Sequence, residues 1–284
     1  MKLVSFRTAA GQSFGVLTAD GIVDLGRRTG FGSLKALLAA DALDTAHALA
    51  ERVAPDLSHD AVTLLPVIAD PERIICVGLN YHDHVEETGF APTERPTLFT
   101  RFASTLIGHE SPLVRPTASE KFDYEGELAV ILGKPGRHIA VADALSHIAG
   151  YAPFNDGSVR DWQMHTSQFT PGKNFPATGG FGPALVTQDE AGPLDDLVLR
   201  TRFNGTVVQE ARLGQMITPI VDLIAYISTF TPLAPEDVIV TGTPGGVGVK
   251  RSPRLYMKPG DVIEVEIDRI GLLRNSVVAE DDSE

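Results

Sequence analysis

A single cysteine, Cys76, occurs in 284 residues. One cysteine rules out an intrachain disulfide, and with it the secreted scaffolds that disulfides staple together. Cys76 sits in the apolar run Ile74-Ile75-Cys76-Val77, which suits a small buried hydrophobe better than a nucleophile. Positive charge is also scarce. The 24 Lys and Arg residues face 37 Asp and Glu, for a net charge of −13. Such a surface repels phosphate backbones and anionic lipid, so neither nucleic acid nor membrane is expected as a partner. No apolar run reaches the ~20 residues of a membrane span. The opening MKLVSFRTAAGQSFG lacks the apolar stretch of a signal peptide. A cytoplasmic location is the expectation.

Hydrophobic residues make up 43%, enough for a large domain with a small one beside it. Over residues 1–68 the pattern reads as a small α+β domain. Leu3, Ser5 and Arg7 alternate with Val4 and Phe6, Asp20-Gly21 makes a turn, and 33–53 has helical spacing with Ser33 as its N-cap. Residues 69–284 read as strand-rich, with strands at 73–77, 97–100, 125–132, 147–154, 197–203, 238–241 and 262–267 and one buried helix at 219–232. So few helices between strands disfavour a doubly wound parallel sheet and favour a barrel-like or sandwich-like core. Glu280-Asp281-Asp282-Ser283-Glu284 is an acidic tail.

The chemistry gathers around Asp123-Tyr124-Glu125-Gly126-Glu127-Leu128-Ala129-Val130-Ile131-Leu132. Positions i and i+2 of a strand share a face, so Glu125 and Glu127 share one with Ala129 and Ile131. Both faces turn apolar within two residues. Two buried carboxylates at ~4 Å repel by about 4 kcal/mol at an effective dielectric near 20. Either one keeps its proton or a cation sits between them. Oxygen donors at this spacing suit a hard divalent ion; an exposed edge strand with solvated glutamates is the competing reading. Asp156 ends a second apolar strand, Gly150-Tyr151-Ala152-Pro153-Phe154-Asn155. It would be a third ligand or the cap of a short helix at 158–163.

These residues also carry a resemblance. DYEGELAVILGK, GYAPFNDGSVRDWQ, PGKNF and TGTPGGVG, with VGLNYHDHVEE upstream, occur in an order that resembles the fumarylacetoacetate hydrolase superfamily. The resemblance implies a β-rich α+β fold, with a mixed β-strand roll beside the small N-terminal domain, and a homodimer. It implies Glu125, Glu127 and Asp156 as ligands of Mg²⁺ or Mn²⁺, with Arg160 supporting them from behind. It implies His84 and Glu87 as an acid–base pair on a segment that closes over the site. Gln163, Lys173 and Thr243 match substrate-site positions. Arg101 and Ser104 are taken as further substrate contacts, although Arg101-Phe102-Ala103-Ser104 departs from the Lys-Pro-x-Ser of many members.

The parts make chemical sense together. A 2-oxo acid chelates a divalent ion, which stabilises an enolate. Histidine titrates near neutrality, and Glu87, one helical turn on, would orient the His84 ring. Lys173 would hold an oxyanion. On a strand His82 and His84 would share a face and suit a metal, but hard carboxylates are already in place. Thr241-Gly242-Thr243-Pro244-Gly245-Gly246-Val247-Gly248 lacks the Gly-Lys-Ser/Thr of a P-loop and the dinucleotide glycine pattern, so no nucleotide cofactor is expected; its N–H groups and Thr243 would instead meet a substrate carboxylate. Residues 85–96 are polar and turn-rich, as a mobile cover would be. The leading expectation is C–C hydrolysis of an acylpyruvate or fumarylpyruvate-type diketo acid. The alternative is an isomerase, tautomerase, hydratase or decarboxylase acting at the same site on oxaloacetate or a 2-hydroxymuconate-type compound.

Overall fold

The computed structural model describes residues 1–89 and 94–281. A twelve-stranded mixed sheet is its spine. The strand order is Gly21–Asp24, Gly11–Thr18, Lys2–Thr8, Leu185–Thr187, Ile148–Asp156, Gly126–Leu132, Val238–Val240, Ile74–Gly78 and Thr97–Thr100, with three short strands off this path. A five-stranded sheet runs Thr206–Arg212, Val198–Phe203, Val262–Ile267, Gly271–Ala279 and Leu113–Arg115. The fold is β-rich α+β, and the strands read from sequence recur within about two residues at their ends.

Gly126–Leu132 lies in the middle of the large sheet, between Ile148–Asp156 and Val238–Val240, and all seven of its residues are buried. Ala129 and Ile131 enter one core with Phe154 and Phe181. Leu128, Val130 and Leu132 enter another with Leu223, Ile224 and Ile227 of the helix Ile220–Phe230. Each of the larger of these side chains, the Leu, Ile, Val and Phe, contributes about 1.5–3 kcal/mol by leaving water. That burial excludes the exposed edge strand. Gly126, between the two glutamates, is needed by the packing of the sheets: a Cβ there would lie 2.0 Å from Thr201 Oγ1 of the second sheet.

The N-terminal residues join this spine. Lys2 and Leu3 pair with Val186 and Leu185, and Leu34, Leu37 and Leu38 share a core with Ile131. The helical stretch breaks into Leu34–Ala39 and Leu43–Ala50, with Asp41 at φ 52 between them. Ser33 caps the first by accepting from Ala36 N–H at 3.1 Å. The expected cover at 85–96 begins inside the helix His82–Thr88, which Gly89 ends at φ 73. Residues 90–93 of that cover, and 282–284 of the acidic tail, lie outside the described residues. No described helix is long and apolar enough to cross a membrane.

Candidate active site

Strand register assembles the acidic group. Gly126 pairs with Asn155 and Glu127 with Phe154, and Asp156 N–H donates to the Glu125 carbonyl at 2.8 Å. Opposed residues of an antiparallel pair share a face, so Glu125, Glu127 and Asp156 converge. One oxygen from each lies within 4.8 Å of the others, and all three residues are buried. Asp156 is no helix cap, because the helix Arg160–Gln163 begins from Val159.

Three buried cations surround this group. Lys173, 1% exposed, donates from Nζ at 2.6 Å to both Glu125 Oε2 and Asp156 Oδ2, and lies 5.1 Å from the Phe99 ring centroid. Arg160 donates to Glu125 Oε1 at 2.6 Å, Asp123 Oδ2 at 2.7 Å and Gln163 Oε1 at 3.0 Å. Arg101 donates to Asp156 Oδ1, to the Gly157 carbonyl at 3.1 Å and to Thr178 Oγ1 at 2.6 Å. With Asp123 included, four carboxylates face three cations. Full ionisation would leave one negative charge over, and the surroundings of Glu125 and Glu127 shift their carboxyls in opposite directions. Burial works to raise the Glu125 pKa, but Lys173 and Arg160 overcome it and hold that carboxyl at about 2. Burial, reinforced by Asp156 and Glu125, pushes Glu127 well above the usual carboxylate range. Lys173 is depressed by burial but raised by Asp156 and Glu125, and ends above its ordinary value.

This donor set fits a hard divalent cation. It offers only oxygen donors, its full ionisation would leave one negative charge uncompensated, and an ammonium already bridges two of its members.

One loop holds three carboxylates through its backbone. Gly242 N–H donates to Glu127 Oε2 at 2.5 Å, Gly246 N–H to Glu87 Oε2 at 2.9 Å, and Gly248 N–H to Asp123 Oδ1 at 2.9 Å. Gly242 takes φ +102 to do so, a region that favours glycine. The expectation that these N–H groups await a substrate carboxylate is therefore corrected: they are bound to the protein's own acids. Thr243 lines the cleft, but its hydroxyl donates to the Gly126 carbonyl at 2.9 Å and accepts from Gln209 at 2.8 Å.

His84 is buried on the helix His82–Thr88, and its Nδ1 lies 2.8 Å from Glu87 Oε1. Helical spacing turns His82 outward to solvent, which removes the paired-histidine metal site. With Nδ1–H donated to Glu87, the ring's Nε2 is the nitrogen left to accept a proton. Glu125, Glu127, His84, Gln163 and Lys173 line a cleft of about 340 Å³, a size that takes a small metabolite. Asp156 lies fully buried outside that wall.

Arg101 and Ser104 stand elsewhere. Arg101, 2% exposed, spends its donors behind Asp156. Ser104 is exposed in the turn Ala103–Thr105. Neither is on the cleft wall. Asp123 escaped sequence reasoning as a site residue, though it continues the Asp-x-Glu-x-Glu alternation. Fully buried, it takes Arg160, Gly248 and Val249 as donors and so fixes the arginine that holds Glu125.

Comparison with known proteins meets the same residues. The fumarylacetoacetate (FAA) hydrolase C-terminal family model matches residues 73–278. Oxaloacetate tautomerase FAHD2A, mitochondrial, from Homo sapiens is 42% identical over 226 residues, 79% of this chain and 72% of that protein. The solved fumarylacetoacetate hydrolase from Exiguobacterium antarcticum is 34% identical with a TM-score of 0.84, covering 99% of this chain and 100% of that one. Maleylpyruvate hydrolase from Sphingobium sp. SYK-6, crystallised with a manganese(II) ion and pyruvate, is 27% identical with a TM-score of 0.83 over the same shares. The family match runs through the whole acidic triad and the His84–Glu87 pair, and the chain belongs to the fumarylacetoacetate hydrolase family.

Proposed function

We propose that this protein moves a proton at the carbon beside the carbonyl of a 2-oxo acid, interconverting enol and keto forms as an oxaloacetate tautomerase does. The observation that carries the reading is His84, which shares the cleft wall with Glu125 and Glu127 and is held at 2.8 Å by Glu87 behind it. The 42% identity to a tautomerase of oxaloacetate supports tautomerisation ahead of C–C hydrolysis.

A divalent ion held by Glu125, Glu127 and Asp156 would polarise the carboxylate and carbonyl oxygens of the substrate. The rest falls to the chain. In enol-to-keto conversion a proton leaves the enol oxygen and one arrives on the adjacent carbon. His84 Nε2 holds the proton between those events. Glu87 keeps the ring oriented and stabilises its charged form, and Gly246 N–H fixes Glu87 in turn. General acid–base help of this kind contributes about 10²–10⁴-fold. Arg160 and Lys173 keep Glu125 ionised.

A second reading is hydrolysis of an acylpyruvate, with the same pair activating water. The pyruvate complex of the maleylpyruvate hydrolase favours it. Two assays on Mn²⁺-loaded protein separate the readings: loss of enol absorbance from freshly dissolved oxaloacetate, and pyruvate release from acylpyruvates. EDTA-sensitive enol loss without pyruvate release supports tautomerisation. EDTA-sensitive pyruvate release with no effect on the enol gives the hydrolase instead, and inactivity in both assays removes the proposal.

A further inference from the structure

The backbone between Glu125 and Glu127 faces a gap in the large sheet. Asp156 N–H bonds to the Glu125 carbonyl, so the N–H and carbonyl of Gly126 point the other way, toward Val238–Val240. Register on that side stops at Ala129 and Val240, and one further bond, Thr241 N–H to the Leu128 carbonyl at 3.0 Å, follows. Gly242 then turns away at φ +102. Buried backbone groups are seldom left unpaired, and here side chains fill the gap. Gln209 Oε1 accepts the Gly126 N–H at 3.0 Å, Gln209 Nε2 donates to Thr243 Oγ1 at 2.8 Å, and Thr243 Oγ1 donates to the Gly126 carbonyl at 2.9 Å. The ring closes on Gly126. Gln209 Nε2 also donates to the Pro244 carbonyl at 2.8 Å. These partners fix the orientation of the amide, since the Gly126 N–H can only donate and the Pro244 carbonyl can only accept. Gln209, Thr243 and Gly126 are all buried.

A bulge aims Gln209 inward. The residue stands on Thr206–Arg212, at the edge of the five-stranded sheet. Strict alternation would put Val208 and Gln209 on opposite faces. Thr201 pairs with Gln209 and the next residue, Arg202, with Val207, so Val208 is an extra residue on its strand. Val208 and Gln209 are both buried as a result, between exposed Val207 and Glu210. Bulges commonly re-aim a side chain beside a site.

The two loop residues that Gln209 holds, Thr243 and Pro244, lie between Gly242, whose N–H binds Glu127, and Gly246, whose N–H binds Glu87. We infer that Gln209 is a positioning residue for both halves of the site. Its carbonyl oxygen sets the backbone between the two glutamates. Its amino group sets the loop that carries Glu127 and, through Glu87, His84. The inference rests on the metal centre of the reading above and gives it a support from the second sheet.

Manganese titration followed by electron paramagnetic resonance, run well below the melting temperature, tests it in three variants. Gln209→Met keeps the length of the side chain and removes both ends of the amide. It is expected to bind Mn²⁺ about 10–100-fold more weakly and to change the lineshape of the bound ion. Thr243→Val opens the same ring from the loop and is expected to weaken binding in the same direction. Leu199→Ala hollows the core under the neighbouring strand without touching the ring. It is expected to melt lower while affinity and lineshape stay as in the wild type. A Gln209→Met protein that melts lower but binds Mn²⁺ as the wild type does overturns the inference, and so does an equal loss of affinity in Leu199→Ala. Should Gln209→Met fail to fold, Thr243→Val decides by the same criteria. Absence of Mn²⁺ binding to the wild type overturns the metal centre, and this inference with it.

Discussion

The Lys173 ammonium lies 2.6 Å from Glu125 Oε2 and at the same distance from Asp156 Oδ2. A cation thus already bridges two of the three acids that would hold a metal, and the third, Glu127, is left with its pKa raised. A divalent ion held by the three acids would take over the charge that Lys173 now supplies to two of them.

Removing a ligand separates binding from chemistry. Glu127→Ala and Asp156→Ala are expected to abolish Mn²⁺ binding and turnover together. His84→Ala is expected to keep the ion and lose about 10²–10⁴-fold in kcat. Manganese titration followed by electron paramagnetic resonance, run beside turnover, reads both; loss of the ion in His84→Ala would show that the histidine had been given the wrong role.

The raised pKa of Glu127 has a sign that can be checked. Burial and two neighbouring carboxylates favour its protonated form in the metal-free fold. A folded-state pKa above the unfolded one contributes stability that is complete below the unfolded value and is lost as pH rises through the folded value, about 1.4 kcal/mol per unit of difference. Metal-free protein should therefore melt lower as pH rises above the ordinary carboxylate range, and Glu127→Gln should flatten that slope. Mn²⁺ requires the ionised ligand, so its affinity should rise over the same interval with release of a proton. Thermal melts with and without EDTA across pH test this; a wild-type slope matching that of Glu127→Gln would contradict it.

Much of this site is legible in the sequence because strand alternation is local. Glu125 and Glu127 share a face by geometry alone, and His84 and Glu87 meet by helical spacing. Arg101 is not legible in that way. Beyond the local Thr105, its partners Asp156, Gly157 and Thr178 lie 55 to 77 residues away, and the sheet brings them together. The same holds for the loop amides on Glu127, Glu87 and Asp123. The strand Gly271–Ala279 was missed because it alternates buried and exposed positions around Arg274 and Asn275, which hides its apolar face from a search for runs.

Arg101 behind Asp156 gives a stability prediction. Its guanidinium is wholly enclosed, and removing one partner of a buried pair costs about 3–5 kcal/mol. Arg101→Ala should lower the unfolding free energy of the metal-free protein by about that amount and weaken Mn²⁺ binding, with part of the stability restored at saturating Mn²⁺. Urea unfolding at zero and saturating metal checks it. A change confined to substrate KM would instead support Arg101 as a substrate contact.

The close approach at Gly126 yields a double-mutant cycle. A Cβ there would meet Thr201 Oγ1 at 2.0 Å, so Gly126→Ala should cost about 1–3 kcal/mol by overpacking. Thr201 Oγ1 is buried and has no hydrogen-bond partner among the described residues, so Thr201→Ala should be close to neutral. The double variant should recover most of the loss, giving a favourable coupling by urea unfolding; additive losses would place the conflict elsewhere.

The most direct test of the metal centre is diffraction from Mn²⁺-grown crystals at the manganese absorption edge. An anomalous peak between Glu125, Glu127 and Asp156, with Lys173 Nζ withdrawn from its bridge, is the predicted result. A featureless map at that point, with the ammonium still seated between Glu125 and Asp156 at saturating Mn²⁺, would contradict the account.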